Sequence, residues 1–159
     1  FDPNLRPPLW RSLEEAKEQV CYGLAHCDIL KISDNEIQWL TGLEDYDQGV
    51  FWIRERYPAI KLILLSMGKD GSRAYAGDFQ AEAQAFRVDT IETTGAGDTF
   101  FGAVLHHVLM WGMGDYTGEQ LTRMLTFANA AAAIVTTRKG ALRVMPGKEE
   151  IEALMETME

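Results

Sequence analysis

The residues best placed to do chemistry are Thr93-Thr94-Gly95-Ala96-Gly97-Asp98 and the apolar run that follows them: Phe100, Phe101, Ala103, Val104, Leu105, Val108, Leu109 and Trp111. Two glycines allow a tight turn that aims successive N–H groups into one concavity. The run is apolar on more than one face, which predicts a buried helix. A glycine turn that opens onto a helix gathers free N–H groups at the positive end of the helix dipole, a favourable place for an anion. Asp98 stands at that opening. A carboxylate in an anion site is unfavourable unless it has a task. The task these residues suggest is to accept a proton from a hydroxyl while the N–H groups hold a phosphoryl group. Other phosphate-binding patterns fail. Phe100 occupies the place of the third glycine of a dinucleotide fingerprint, and Gly68-Lys69-Asp70 lacks the Ser or Thr of a P-loop. Taken alone, the segment also reads as a glycine turn capped by Asp98.

Three further loops carry polar residues and glycines: Asp2-Pro3-Asn4-Leu5-Arg6, Lys31-Ile32-Ser33-Asp34-Asn35-Glu36 and Ser66-Met67-Gly68-Lys69-Asp70-Gly71. The elements around them follow from pattern. Ser12 caps a helix to about Ala25, and Asp28 to Ile32 reads as a strand. Ser33 opens a short helix to Gly42, and Asp47 to Tyr57 forms another. Ile60 to Ser66 is continuously apolar, as in a central parallel strand. Arg73 to Ala76 and Gln80 to Ala85 flank Gly77-Asp78 as a hairpin. Helices follow from about Asp98 to Gly112, Gly118 to Thr136 and Pro146 to Met158. Alternating helices and strands predict an α/β layered fold around a mostly parallel sheet. Loops after the carboxyl ends of parallel strands share one rim, where ligands bind.

The sequence has 159 residues, 47% hydrophobic and 25% charged, enough for one domain with a core. A formal net charge of −9 argues against nucleic acid or an anionic membrane as a partner. No apolar run approaches the roughly 18 residues of a membrane span, and no signal peptide is expected. Cys21 and Cys27 fit no zinc or redox spacing and read as small core residues in a reducing cytoplasm. The opening Phe1-Asp2-Pro3-Asn4 looks like the last residue of a strand entering its loop, so the expectation is a C-terminal portion of a longer protein.

The ordered motifs Asp2-Pro3-Asn4…Arg6, Lys31…Ser33…Glu36, Ser66-x-Gly68-x-x-Gly71, Glu92-Thr93-Thr94-Gly95-Ala96-Gly97-Asp98, and Asn129 with Thr137-Arg138-x-Gly140-Ala141 resemble the C-terminal half of a ribokinase-like (PfkB-type) carbohydrate kinase. That is the family of ribokinase, fructokinase and adenosine kinase. The resemblance runs through nearly all of the chain, and the opening residues are most similar to the fructokinase branch. It implies an ATP-dependent transfer of the γ-phosphate to a primary sugar hydroxyl. Asp98 is then the catalytic base, and Gly95, Ala96 and Gly97 form the anion hole. Ser66, Gly68 and Gly71 lie along ATP, Asn129 and Gly140 belong to the adenine pocket, and Ser33 sits where many members have Asn. Glu36 helps to position Mg2+ through water. Glu92 and Thr94 fall where the family holds K+, although Glu92 replaces the commoner Asp. Arg6 is placed at the substrate rim.

Each residue also has a plainer reading. Ser33-x-x-Glu36 is a capping box. Gly68 and Gly71 are turn glycines, and Asn129 in an alanine-rich helix is a buried hydrogen-bonding residue. His106 and His107 read as structural. Other readings of the whole are a kinase of 2-keto-3-deoxygluconate or of a nucleoside, and a nucleotide-binding module without catalysis. The family's N-terminal half carries most sugar contacts and the lid, so the isolated chain is expected to be inactive. Sheet edges left open predict self-association, as in a homodimer.

Overall fold

A computed structural model describes residues 1–158. Two apolar pentapeptides make the centre of its sheet: β1 (Ile29–Ser33) and β2 (Leu62–Ser66) pair in parallel, in register from Ile29↔Leu62 to Ser33↔Ser66. Leu62, Ile63, Leu64 and Leu65 are at most 1% exposed, because both faces of β2 are covered. The chain then doubles back. β3 (Ser72–Ala76) pairs antiparallel with β2, and β4 (Phe79–Ala83) antiparallel with β3 across the Gly77-Asp78 turn. The sheet among the described residues is therefore mixed rather than mostly parallel. Only β1–β2 is a parallel strand pair, since the hairpin supplies two antiparallel pairings. Phe1 adds parallel-type bonding at the other edge of β1: its N–H donates to Ile29 O at 2.7 Å, and Lys31 N–H donates to Phe1 O at 2.9 Å.

Helices cover both faces. On one side lie α1 (Leu13–Leu24), α2 (Asp34–Thr41) and α3 (Tyr46–Arg56), which bury Leu24, Ile37 and Ile53 against Leu30, Ile32 and Leu65 of the sheet. Ser12 caps α1 by accepting the Glu15 N–H, and Asp45 caps α3 by accepting the Gln48 N–H. On the other side α4 (Ala96–Trp111) and α5 (Gly118–Thr136) bury Val104, Leu121 and Leu125 against Leu62, Leu64 and Ala74. The small side chains of Ala128, Ala130, Ala131 and Ala133 let α5 lie close to its neighbours. A last helix, α6 (Lys148–Met155), docks on this layer through Ile151. Cys21 and Cys27 are free and only half-buried. No helix among the described residues is long and apolar enough to cross a membrane.

The expectation of an enclosed α4 is corrected. Gly102 and His106 are exposed, as are Leu109 at 86% and Met110 at 61%. The sheet covers one side of α4 and α5 another, which leaves a third stripe uncovered. His107, by contrast, is 5% exposed and donates from Nδ1 to Ala103 O at 3.1 Å. Burial holds its pKa below the ordinary value of 6.5, assisted by the nearby charges of His106 and Arg123 and opposed by the Ala103 carbonyl. The unfolded chain therefore takes up a proton near pH 6.5 that the folded chain resists. This contribution to stability is complete above that pH and is lost as pH falls below it. Denaturant midpoints measured against pH should show that decline, and His107→Gln should flatten it.

Candidate active site

Gly95 sets the entry to α4. It is the N-cap, with φ 80° and ψ 0°, a left-handed conformation that glycine adopts without strain. The Ala96 N–H is taken by Thr93 O at 3.2 Å, and the Thr99 N–H by Gly95 O at 2.8 Å. Between them, the N–H groups of Gly97 and Asp98 have no acceptor among the described residues. Asp98 is exposed in the first turn of α4 and lines a cavity of about 300 Å³ with Thr99, Gly102 and His106. Gly95, Ala96 and Gly97, expected to form an anion hole, thus share one helix start with the acid.

A residue that sequence reasoning left without a role joins them. Lys31, on β1, is 6% exposed, and its Nζ pairs with Asp2 at 3.1 Å. A side chain built on Gly97 would meet that Nζ at 3.3 Å. Asp2, Lys31 and Gly97 therefore meet at one point.

Ser33 and Glu36 form the capping box of α2. Glu36 Oε2 accepts from the Ser33 N–H and hydroxyl, both at 2.9 Å, while Oε1 accepts the Leu5 N–H at 2.7 Å. This 8%-exposed carboxylate ties the Asp2–Leu5 loop to the end of β1. Ser66 lies beside Ser33 on the neighbouring strand. The chain then turns through Gly68 and Gly71, both at positive φ, and the Met67 N–H donates to Gly71 O at 2.8 Å.

Asn129 turns inward and does not join the rim. Its Oδ1 accepts from the Ser72 hydroxyl at 2.9 Å, and its Nδ2 donates to Ala83 O at 3.1 Å and Gln84 O at 3.0 Å. Both amide hydrogens are committed to carbonyls of the hairpin and its extension. Its place is in the core, between α5 and the hairpin. Asn129→Ala would strand these buried groups and should destabilise the protein by about 2–4 kcal/mol. Denaturant titration measures that loss, and the KM for ATP of the remaining folded protein should be unchanged.

Glu92 connects the turn to the segment after α5. Its carboxyl is held below the usual range by the Thr94 hydroxyl first, then by the Gly140 N–H at 3.2 Å and the charge of Lys139. A side chain built on Gly95 would meet Ala141 Cβ at 3.2 Å, so the two segments are in contact. Arg6 is exposed, and its side chain bonds to no other residue among those described. No group of three or more His, Cys, Asp or Glu side chains able to hold a metal ion occurs among the described residues.

The model of the pfkB family carbohydrate kinases matches residues 1–147. Fructokinase-1 of Zea mays is 38% identical over 156 residues, which cover 98% of this chain and 48% of that protein. A double-mutant fructokinase from Vibrio cholerae O395, in a form with fructose, ADP and potassium ion bound, superposes with a TM-score of 0.86 at 29% identity, over 98% of this chain and 49% of its own. A fructokinase from Xylella fastidiosa with bound ATP superposes with a TM-score of 0.85 at 26% identity, over 99% of this chain and 51% of its own. The ribokinase-like layered fold expected from the sequence is shared with these enzymes. The chain spans about half the length of the relatives it matches.

Proposed function

Because the chain belongs to the pfkB family of carbohydrate kinases, we propose that it is the ATP-binding, catalytic C-terminal portion of an ATP-dependent kinase that phosphorylates a primary hydroxyl of fructose. One observation carries this reading. An exposed carboxylate, Asp98, shares a helix start with two N–H groups that have no acceptor among the described residues.

Phosphoryl transfer needs little covalent help from a protein; it needs positioning and stabilisation of charge. The acceptor hydroxyl oxygen attacks the γ-phosphorus, the bond from that phosphorus to the β,γ-bridging oxygen breaks, and its electron pair leaves with ADP. The hydroxyl proton passes to Asp98. Gly95, Ala96 and Gly97 form the turn; the Ala96 N–H is held by Thr93 O, and the free N–H groups of Gly97 and Asp98 face the equatorial oxygens. ATP runs along Ser33, Ser66, Gly68 and Gly71, with its base toward Gly140. Magnesium, when bound with the nucleotide, offsets phosphate charge, and Glu36 Oε1 has a second lone pair for a water of its shell. The Glu92–Thr94 turn is the place for K+, which a relative holds together with fructose and ADP. Arg6 belongs to the substrate rim and is completed by a preceding half that supplies the sugar contacts and the lid. Without that half, this chain should not turn over.

The test is ATP turnover by the complete polypeptide over fructose, 2-keto-3-deoxygluconate and a nucleoside. The highest kcat/KM for fructose supports the reading. Preference for another acceptor replaces the substrate, and nucleotide binding without transfer to any acceptor leaves a binding module.

A further inference from the structure

Lys31 occupies a position that a purely structural ion pair does not explain. The ammonium is buried, which demands a partner, and Asp2 supplies one through Oδ1 at 3.2 Å and Oδ2 at 3.1 Å. The same ammonium lies against Gly97, 3.3 Å from where a β-carbon would be, at the start of α4. That end of a helix carries a partial positive charge, so a cation beside it is repelled unless an anion joins them. Asp2 offsets one positive charge. The Asp98 carboxylate lies in the first turn of α4, yet the N–H groups of Gly97 and Asp98 have no acceptor among the described residues. An ammonium also has three donors, and Asp2 is its only acceptor among the described residues. Lys31 and the glycine turn are therefore two sources of positive potential converging on one point, in a chain whose formal net charge is −9.

We infer that Lys31 faces the transferred phosphoryl group across Gly97 and is aimed there by Asp2. The inference rests on the kinase reading above and adds a charged side chain to an anion hole otherwise made of backbone. As charge on the γ-phosphoryl oxygens and the departing ADP develops, the ammonium donates to them while Asp2 keeps it in place. Lys31 is then a catalytic residue and Asp2 a positioning residue. The absence of a side chain on Gly97 is part of the device, because a methyl there would press on the ammonium.

The experiment compares Lys31→Met and the double variant Asp2→Asn/Lys31→Met in the complete polypeptide. Met keeps the length of the side chain, and the double variant leaves no unpaired buried carboxylate, so it remains foldable. The expected result for both is a fall in kcat of about a hundredfold or more with the KM for fructose little changed. Tripolyphosphate, titrated calorimetrically in the absence of sugar, should bind about tenfold or more weaker to both variants. A purely structural role would not move that affinity in the double variant. Wild-type kcat in Lys31→Met, or recovery of kcat and tripolyphosphate binding in the double variant, overturns the inference. If the wild-type polypeptide transfers phosphate to no acceptor but still loses tripolyphosphate affinity with Lys31, the kinase reading falls and Lys31 stands as a phosphate ligand.

Discussion

Asp98→Asn in the complete polypeptide should leave ATP affinity near the wild-type value and lower turnover by at least about a hundredfold. The substitution keeps the size of the side chain and the start of α4, because the Thr99 N–H to Gly95 O bond that opens the helix does not involve this side chain. It removes the ability to take a proton, together with the carboxylate's negative charge. Asp98 is exposed, so no buried partner is stranded and the fold should not suffer. A coupled assay gives kcat, and calorimetry gives the dissociation constant of ATP. Turnover that survives would remove Asp98 from the proton-transfer step. Loss of ATP binding together with turnover would instead make it a ligand of the nucleotide.

The largest effect on stability should come from Gly71→Ala. Gly71 has φ 93° and ψ −142°, in a region of backbone space essentially reserved for glycine. A β-carbon there would lie 2.2 Å from Ala83 O and 2.9 Å from Gln84 Cα. Both are backbone atoms of β4 and its extension, and neither can swing aside. Backbone strain of about 1–3 kcal/mol adds to that clash, so the total should exceed about 3 kcal/mol, a large share of a stability of about 5–15 kcal/mol. Gly68→Ala is the control. Gly68 has φ 54° and nothing within 4 Å of its would-be β-carbon, so its cost should be only about 1–2 kcal/mol. Denaturant midpoints of the two variants separate these cases, and equal losses would mean that the Ser66–Gly71 loop does not pack against the hairpin as described.

Local pattern carried much of this architecture. The continuous run before Ser66 belongs to a strand covered on both faces, and Gly77-Asp78 turns the hairpin, because each signal is complete within a few residues. The same holds for the Ser12 and Ser33 caps, where the acceptor and its N–H lie three residues apart. What escaped was decided at long range. Lys31 belongs to a recognised motif but has no role in it until Asp2, 29 positions away, and Gly97 close around it. Asn129 could have faced a ligand or the core. The choice depended on Ser72 and Ala83, 57 and 46 positions away, reaching its amide first. The open stripe of α4 was hidden for another reason. Apolar side chains on every face suggest enclosure, but only a neighbouring element can provide it, and none covers Leu109 or Met110 among the described residues. The mixed pairing of the sheet likewise reflects the hairpin, whose two antiparallel ladders outnumber the parallel one.

The central claim is that a carboxylate and a cradle of main-chain amides at one helix start move phosphate from ATP to a sugar. Phosphorus-31 NMR of the complete polypeptide with ATP and fructose tests it most directly, because the fate of the γ-phosphorus is read without an intermediary. The account predicts a new phosphomonoester resonance, split by two protons of a primary carbon, growing in step with ADP and absent with Asp98→Asn. Orthophosphate alone, an ester on a secondary carbon, or undiminished product from the Asn variant would contradict it.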